Sequence, residues 1–210
     1  MRFLASLLSA GLAIAPMAAL AHPHVWITTR AELVYAPDGK VTEIRHAWTF
    51  DSGYSAYATQ GMIENGKLDP EKGRELAKLN TESLADQEYF TVLRSGGAKQ
   101  ALDAPRDAET LFDDGKLTLR FTLPLKQPAA SSRLLLDVYD PTFFVDFALA
   151  DVDDAVRIAG APAGCGVEIR RPKPANPADQ KNLSEAFFQA LTGSADAGAQ
   201  FATRTTIQCR

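Results

Sequence analysis

Apolar and polar positions alternate with a period of two along Val25 to Tyr35 and again along Val41 to Phe50, and both runs are rich in β-branched and aromatic residues. The intervening Ala36-Pro37-Asp38-Gly39-Lys40 has turn chemistry, so the runs are expected to form a β-hairpin with His24 at its entrance. From Asp69 the period changes. Leu76, Leu79, Leu84 and Phe90 recur near helical spacing, with Asp69 as N-cap and Pro70 at the first helical position, which predicts a helical insertion over about 55–90. Short β-like runs return at Thr91 to Leu93, Lys116 to Leu125, Arg133 to Tyr139, Phe143 to Leu149, Val156 to Ala159, Val167 to Arg170 and Thr205 to Cys209. Prolines at 172, 174 and 177 make Arg171 to Pro177 a loop, and Ser184 to Thr192 reads as a short C-terminal helix. The expected fold is α+β: an antiparallel β-sandwich-like domain with a helical insertion and a short C-terminal helix.

Ahead of this pattern, Met1-Arg2 is positively charged, Phe3 to Leu20 is apolar, and Ala19-Leu20-Ala21 places small residues at the −3 and −1 positions of a cleavage point. Residues 1–21 are therefore expected to be a cleaved signal peptide, leaving 22–210 as a single periplasmic domain that begins with His22. Pro16 interrupts the apolar run and no basic stop-transfer cluster follows, which argues against a membrane anchor. The mature chain is expected not to be membrane-embedded.

The net charge of −4, one unit more negative once Arg2 is removed, argues against a nucleic-acid surface and suits a cationic ligand. The only cysteines, Cys165 and Cys209, are expected to pair in an oxidising compartment. A two-thiolate metal site in their place would lack a nearby histidine.

All three histidines lie between residues 22 and 46. Side chains two apart share a face of a strand, so His22 and His24 can present both imidazoles together, and a free α-amino group at His22 adds a third nitrogen. Amine plus two imidazoles suits Cu(II), Ni(II) or Zn(II) and resembles the histidine brace of periplasmic copper proteins. Pro23 removes the N–H that the amino-terminal copper and nickel motif would have to deprotonate. With Tyr35 facing Val41, His46 falls opposite Arg30, far from His24, and reads as a structural or surface histidine. Asp51, Ser52 and Tyr54 are then the better companions, and a one-residue slip would bring Asp51 opposite the start of the first strand. If Asp140-Pro141 closes a hairpin, Asp137 would face Asp146, a repulsion that a cation between them would relieve. Asp51, Asp140 and Asp146 accordingly join His22 and His24 as candidate ligands.

Glu64-Asn65-Gly66-Lys67-Leu68-Asp69 has part of a calcium-loop pattern. With Gly66 at the sixth position, however, Gly61 falls where the first aspartate belongs and Lys72 where the last glutamate belongs. No nucleophile elbow, phosphate-binding glycine loop or His-Glu-x-x-His helix is present, so the chain reads as a non-enzyme.

His22-Pro23-His24-Val25-Trp26, Trp48-Thr49-Phe50-Asp51 with Tyr54-Ser55, Glu88-Tyr89-Phe90 and the run Tyr139 to Asp146 together resemble a bacterial periplasmic family, the domain of unknown function numbered 1007. Members of that family are labelled as the periplasmic component of an uncharacterised ABC-type transport system, and some sit beside or are fused to nickel/cobalt-type membrane exporters. The resemblance implies handling of a transition-metal ion (Zn, Ni, Co or Cu), with an inner-membrane metal transporter as partner. An envelope interaction module without a metal site is the alternative function.

Overall fold

The computed structural model describes residues 24–130, 132–172 and 197–209. The expected signal peptide, His22 and the expected helix Ser184 to Thr192 lie outside the described residues. Two strands open the described chain, β1 (Val25–Tyr35) and β2 (Val41–Phe50), with the bounds that their alternation predicts. Next come the helix α1 (Ser52–Ala58), a small hairpin of β3 (Ile63–Glu64) and β4 (Lys67–Leu68), α2 (Pro70–Ser83) and a 3₁₀ segment, Ala85–Phe90. The rest is strand: β5 (Thr91–Ser95), β6 (Ala98–Lys99), β7 (Arg106–Asp113), β8 (Lys116–Ala129), β9 (Arg133–Val138), β10 (Val145–Leu149), β11 (Val156–Ala159), β12 (Gly166–Arg170) and β13 (Arg204–Gln208).

One sheet runs β10-β1-β2-β8-β7, with β11 continuing beside β1, and the second runs β12-β13-β9-β5-β6. Leu33, Val41 and Ile44 of the first meet Leu93, Leu134, Leu136 and Ile207 of the second in one core cluster. A second cluster, centred on Trp48, gathers Ile27, Phe50, Leu119, Phe121 and Phe147 with Ala77 of α2 and Tyr89. The inner face of the first sheet is thus covered partly by the second sheet and partly by the segment joining β2 to β5.

Three expectations about pairing are corrected. Tyr35 does face Val41, but a bulge beside this pair shifts the remaining register by one, giving Val34–Glu43, Ala31–His46 and Ile27–Phe50. The expected pair Arg30–His46 therefore does not form. The cause is burial: Val41 and Ile44, three apart, are both fully buried, and only an inserted residue lets both face inward. The first sheet is also mixed rather than antiparallel, because β10 and β11 both run parallel to β1. Asp140-Pro141 does not close a hairpin. It carries the chain from β9 in the second sheet to β10 in the first, so Asp137 does not face Asp146. Asp137 is buried, with Arg204 at 3.2 Å and Arg94 at 3.6 Å as its counter-ions.

The helix α2 starts as the sequence predicts. Asp69 accepts from the N–H groups of Glu71 and Lys72, and Pro70 fills the first turn. Gly73 lets α2 lie close on β7, since a Cβ there would meet Thr110 Oγ1 at 3.0 Å. The calcium-like segment is a two-residue hairpin whose Asn65-Gly66 turn has positive φ at both positions. Lys72 Nζ donates to the Gly61 carbonyl at 3.0 Å, so the loop is closed by its own ammonium group. At Glu88-Tyr89-Phe90 three successive residues take positive φ, a conformation disfavoured by about 1–2 kcal/mol each. The turn buries Tyr89 and lays the Phe90 ring 5.2 Å from Phe147.

Candidate functional site

Three of the candidate residues, His24, Asp51 and Asp146, lie beside the start of β1. His24 donates its backbone N–H to the Phe144 carbonyl at 2.9 Å, and its ring lies 4.7 Å from that of Phe144. Val25 packs against the core and Ile27 lies within it, so the strand alternation turns Trp26 outward, half-exposed. Trp26 stands between two carboxylates. On the β2 side, the shifted register puts Asp51 beside it: the Asp51 N–H donates to the Trp26 carbonyl at 2.9 Å, and the Trp26 N–H donates to Asp51 Oδ2 at 3.2 Å. On the β10 side, Asp146 is its register partner.

The two carboxylates are tuned in opposite directions. Partial burial works to raise the Asp51 pKa, but N–H groups of Tyr54, Trp26 and Gly53 aimed at the ionised form outweigh it and hold the group below the usual range. Asp51 is thereby also the N-cap of α1. The Asp146 carboxyl, half-buried beside Trp26, is pushed up by desolvation. A cation brought near would relieve that penalty.

Asp140 plays a different part. Its Oδ1 accepts from the Thr142 N–H and hydroxyl, both at 2.8 Å, and its Oδ2 from the N–H groups of Phe144 and Val145, both at 3.0 Å. This buried carboxylate folds the turn that lays Phe144 against His24, and a cation there would have to displace four donors. Because both oxygens accept, asparagine would replace one acceptor by a donor facing N–H groups. Asp140→Asn and Asp140→Ala are therefore expected to destabilise the protein alike, by about 1–3 kcal/mol in urea unfolding. An unchanged midpoint for either would contradict this role.

Tyr54 stacks on Phe50 at 4.6 Å and Ser55 is buried, its hydroxyl accepting the Leu117 N–H at 2.9 Å. The Trp48-to-Ser55 motif thus seats α1 on β8. Trp26 and Phe144 lie within the family motifs, which by themselves give neither a role at the site. Period-two alternation from Ile27 signals the outward Trp26, whereas Phe144 reaches His24 only through the parallel β1–β10 pairing. Among the described residues, no three His, Cys, Asp or Glu side chains are grouped so as to hold a metal ion. Among the same residues, no helix is long and apolar enough to cross a membrane.

The sequence profile of a family described as a protein of unknown function (DUF1007) matches residues 7–209. The chain belongs to the DUF1007 family. An uncharacterized 15.5 kDa protein in the trpE 3′ region of Spirochaeta aurantia is 36% identical to this DUF1007 chain over 83 residues. The match takes in 39% of this chain and 59% of that relative. The profile spans all four segments on which the sequence resemblance rests, from His22 to Asp146.

Proposed function

We propose that this DUF1007 protein is a periplasmic component of a transport system, binding a transition-metal ion at the start of β1 and handing it to or from an inner-membrane transporter. The observation that carries the reading is the placement of His24. Its exposed imidazole rests on Phe144 at the end of the sheet where Asp146 bears a desolvation penalty that a cation would relieve. Cleavage after Ala21 would add the amine and imidazole of His22, and Asp51, held ionised, supplies negative charge nearby. The export pattern of residues 1–21 and the family's transport label support the same reading.

Isothermal titration of the processed protein with Zn(II), Ni(II), Co(II) and Cu(II) tests it. The unmodified protein should bind one of these ions saturably. His24→Ala should weaken binding at least tenfold, about 1.4 kcal/mol, with a smaller loss for Asp146→Asn. Equal affinity in His24→Ala, or a mature chain that does not begin at His22, would remove the site. Exposed Trp26, Phe144 and Tyr57 favour a second reading, an envelope interaction module without a metal site. Its mark would be co-purification of a partner by the metal-free protein, unaffected by His24→Ala.

A further inference from the structure

The outer face of the first sheet carries a second group of side chains that the metal reading does not use. Register places them in rows across three strands. Thr28, Thr49 and Thr118 form one row, Arg30, Ala47 and Arg120 the next, and Glu32, Arg45 and Thr122 a third, with Arg157 of β11 beside Glu32. Around Ala47 this makes an open trough of about 420 Å³. Four arginines line it (Arg30, Arg45, Arg120 and Arg157) against two carboxylates, Glu32 and Asp154. Two further carboxylates, Glu43 and Glu109, pair with Arg45 and Arg120 from outside the trough lining.

A ladder built only for stability would place an acid between two flanking arginines. Position 47 holds alanine instead. Arg30 and Arg120 turn away from it to partners on their outer sides, Asp154 at 3.3 Å and Glu109 at 3.5 Å, and leave the middle open. Both pairs are about half-exposed, so each contributes no more than about 1 kcal/mol and exchanges readily. Arg45 and Arg157 share Glu32, at 3.0 Å each, and Arg45 also reaches Glu43 at 3.1 Å. Adjacent strands lie about 4.8 Å apart, so the Arg30 and Arg120 backbones are roughly 10 Å apart with only a methyl group between them. That gap suits one tetrahedral oxyanion gripped from both sides by planar guanidinium forks. The neighbouring threonine row, with Thr49 and Thr118 hydroxyls 2.9 Å apart, offers further donors.

We propose that the trough around Ala47 is a binding site for a phosphoryl dianion, free or esterified, held between Arg30 and Arg120 and backed by Arg45 and Arg157. The site is independent of the metal reading, since it lies further along the strand and uses none of its residues.

Calorimetric titration of the exported chain with inorganic phosphate and with glycerol 3-phosphate, at ionic strength fixed with sodium chloride, tests the proposal. One-to-one saturable binding is expected, with tighter binding of the second probe marking an ester as the natural form and equal or weaker binding marking the free anion. Arg30→Gln and Arg120→Gln should each weaken it at least tenfold, and Ala47→Glu, which puts a carboxylate into the gap, should abolish it. Arg170→Gln, on the second sheet and paired with Glu168, should stay within twofold of the unmodified protein. Absence of saturable binding at millimolar phosphate would overturn the proposal. Equal weakening by Arg170→Gln, or succinate binding as tightly as phosphate, would overturn it too. If Ala47→Glu does not fold, the two exposed arginine variants decide.

Discussion

Between pH 6.5 and pH 5 the protein should lose about 2 kcal/mol of stability, and a His46→Phe variant should lose none of that amount. His46 is buried against the Trp48 cluster, its ring stacked 5.0 Å from Phe121 and edge-on to Trp48 at 5.6 Å. Its Nε2 lies 3.3 Å from Thr91 Oγ1, whose hydroxyl already donates to the Tyr89 carbonyl at 2.8 Å. The ring must therefore donate from Nε2, which assigns the neutral tautomer with a bare Nδ1, and Nδ1 is buried without a partner. Protonation would put a charge and an unmatched N–H into an apolar site. Burial accordingly lowers the pKa from 6.5 to about 3.

The unfolded chain takes up a proton on this side chain below about pH 6.5, while the native state refuses it until about pH 3. Stability is untouched above pH 6.5 and falls by about 1.4 kcal/mol per pH unit beneath it. Carboxylates with lowered pKa values, Asp51 and Asp69 among them, add to the loss only below about pH 5, and the raised Asp146, whose contribution has the opposite sign, is common to both proteins, so the difference between parent and variant isolates the histidine. Phenylalanine keeps the stacking and removes the titration. Its overall stability can differ through packing by about 1–3 kcal/mol, but the slope is the readout. Urea midpoints at four or five pH values measure it. A flat profile for the unmodified protein, or an equally steep one for His46→Phe, would refute the account.

This histidine also shows how much of the fold is legible in the sequence. Alternation located β1 and β2 to the residue, because each is long and buries one face. It did not locate the bulge that moves His46 from beside Arg30 to beside Ala31. The available signal was the spacing of Val41 and Ile44, an odd interval between two apolar residues on one strand. β7 escaped notice because Arg106–Asp113, an edge strand, buries no residue fully and carries four charges among its eight residues. Asp140-Pro141 has the same local chemistry whether it closes a hairpin or joins two sheets. What decides is distant, the burial of Phe147 against Trp48 across the free edge of β1. At the candidate site, His24 and its place at a strand start were legible, and so was the nearness of Asp51 once a register slip was allowed. Asp146 reached the site through a parallel pairing that no local pattern encodes. The four trough arginines come from four strands and have no sequence signature as a group.

Removing the disulfide should be at least as damaging as acid. Cys165 and Cys209 are bonded to each other, across a separation of 44 residues. The bond joins the residue before β12 to the residue after β13 and closes the open end of that hairpin. β13 matters because it lies between β12 and β9 and buries Ile207 fully in the core shared by the two sheets, while the Cys209 N–H donates to the Ser132 carbonyl at 2.8 Å. β12 sits at the sheet's edge with β13 as its one paired neighbour among the described residues. Freeing the cross-link returns the entropy of a long loop to the unfolded chain, about 4 kcal/mol on the chain-entropy account. β12 compensates little, since its residues are half-exposed or exposed and only the partly buried Val167 packs on the shared core. The double variant Cys165→Ser/Cys209→Ser should thus unfold at a markedly lower urea concentration. Dithiothreitol should bring the unmodified protein down to the same midpoint and leave the variant unmoved. Two titratable thiols in unreduced protein, or a variant as stable as the parent, would show that the second sheet holds its edge without the cross-link.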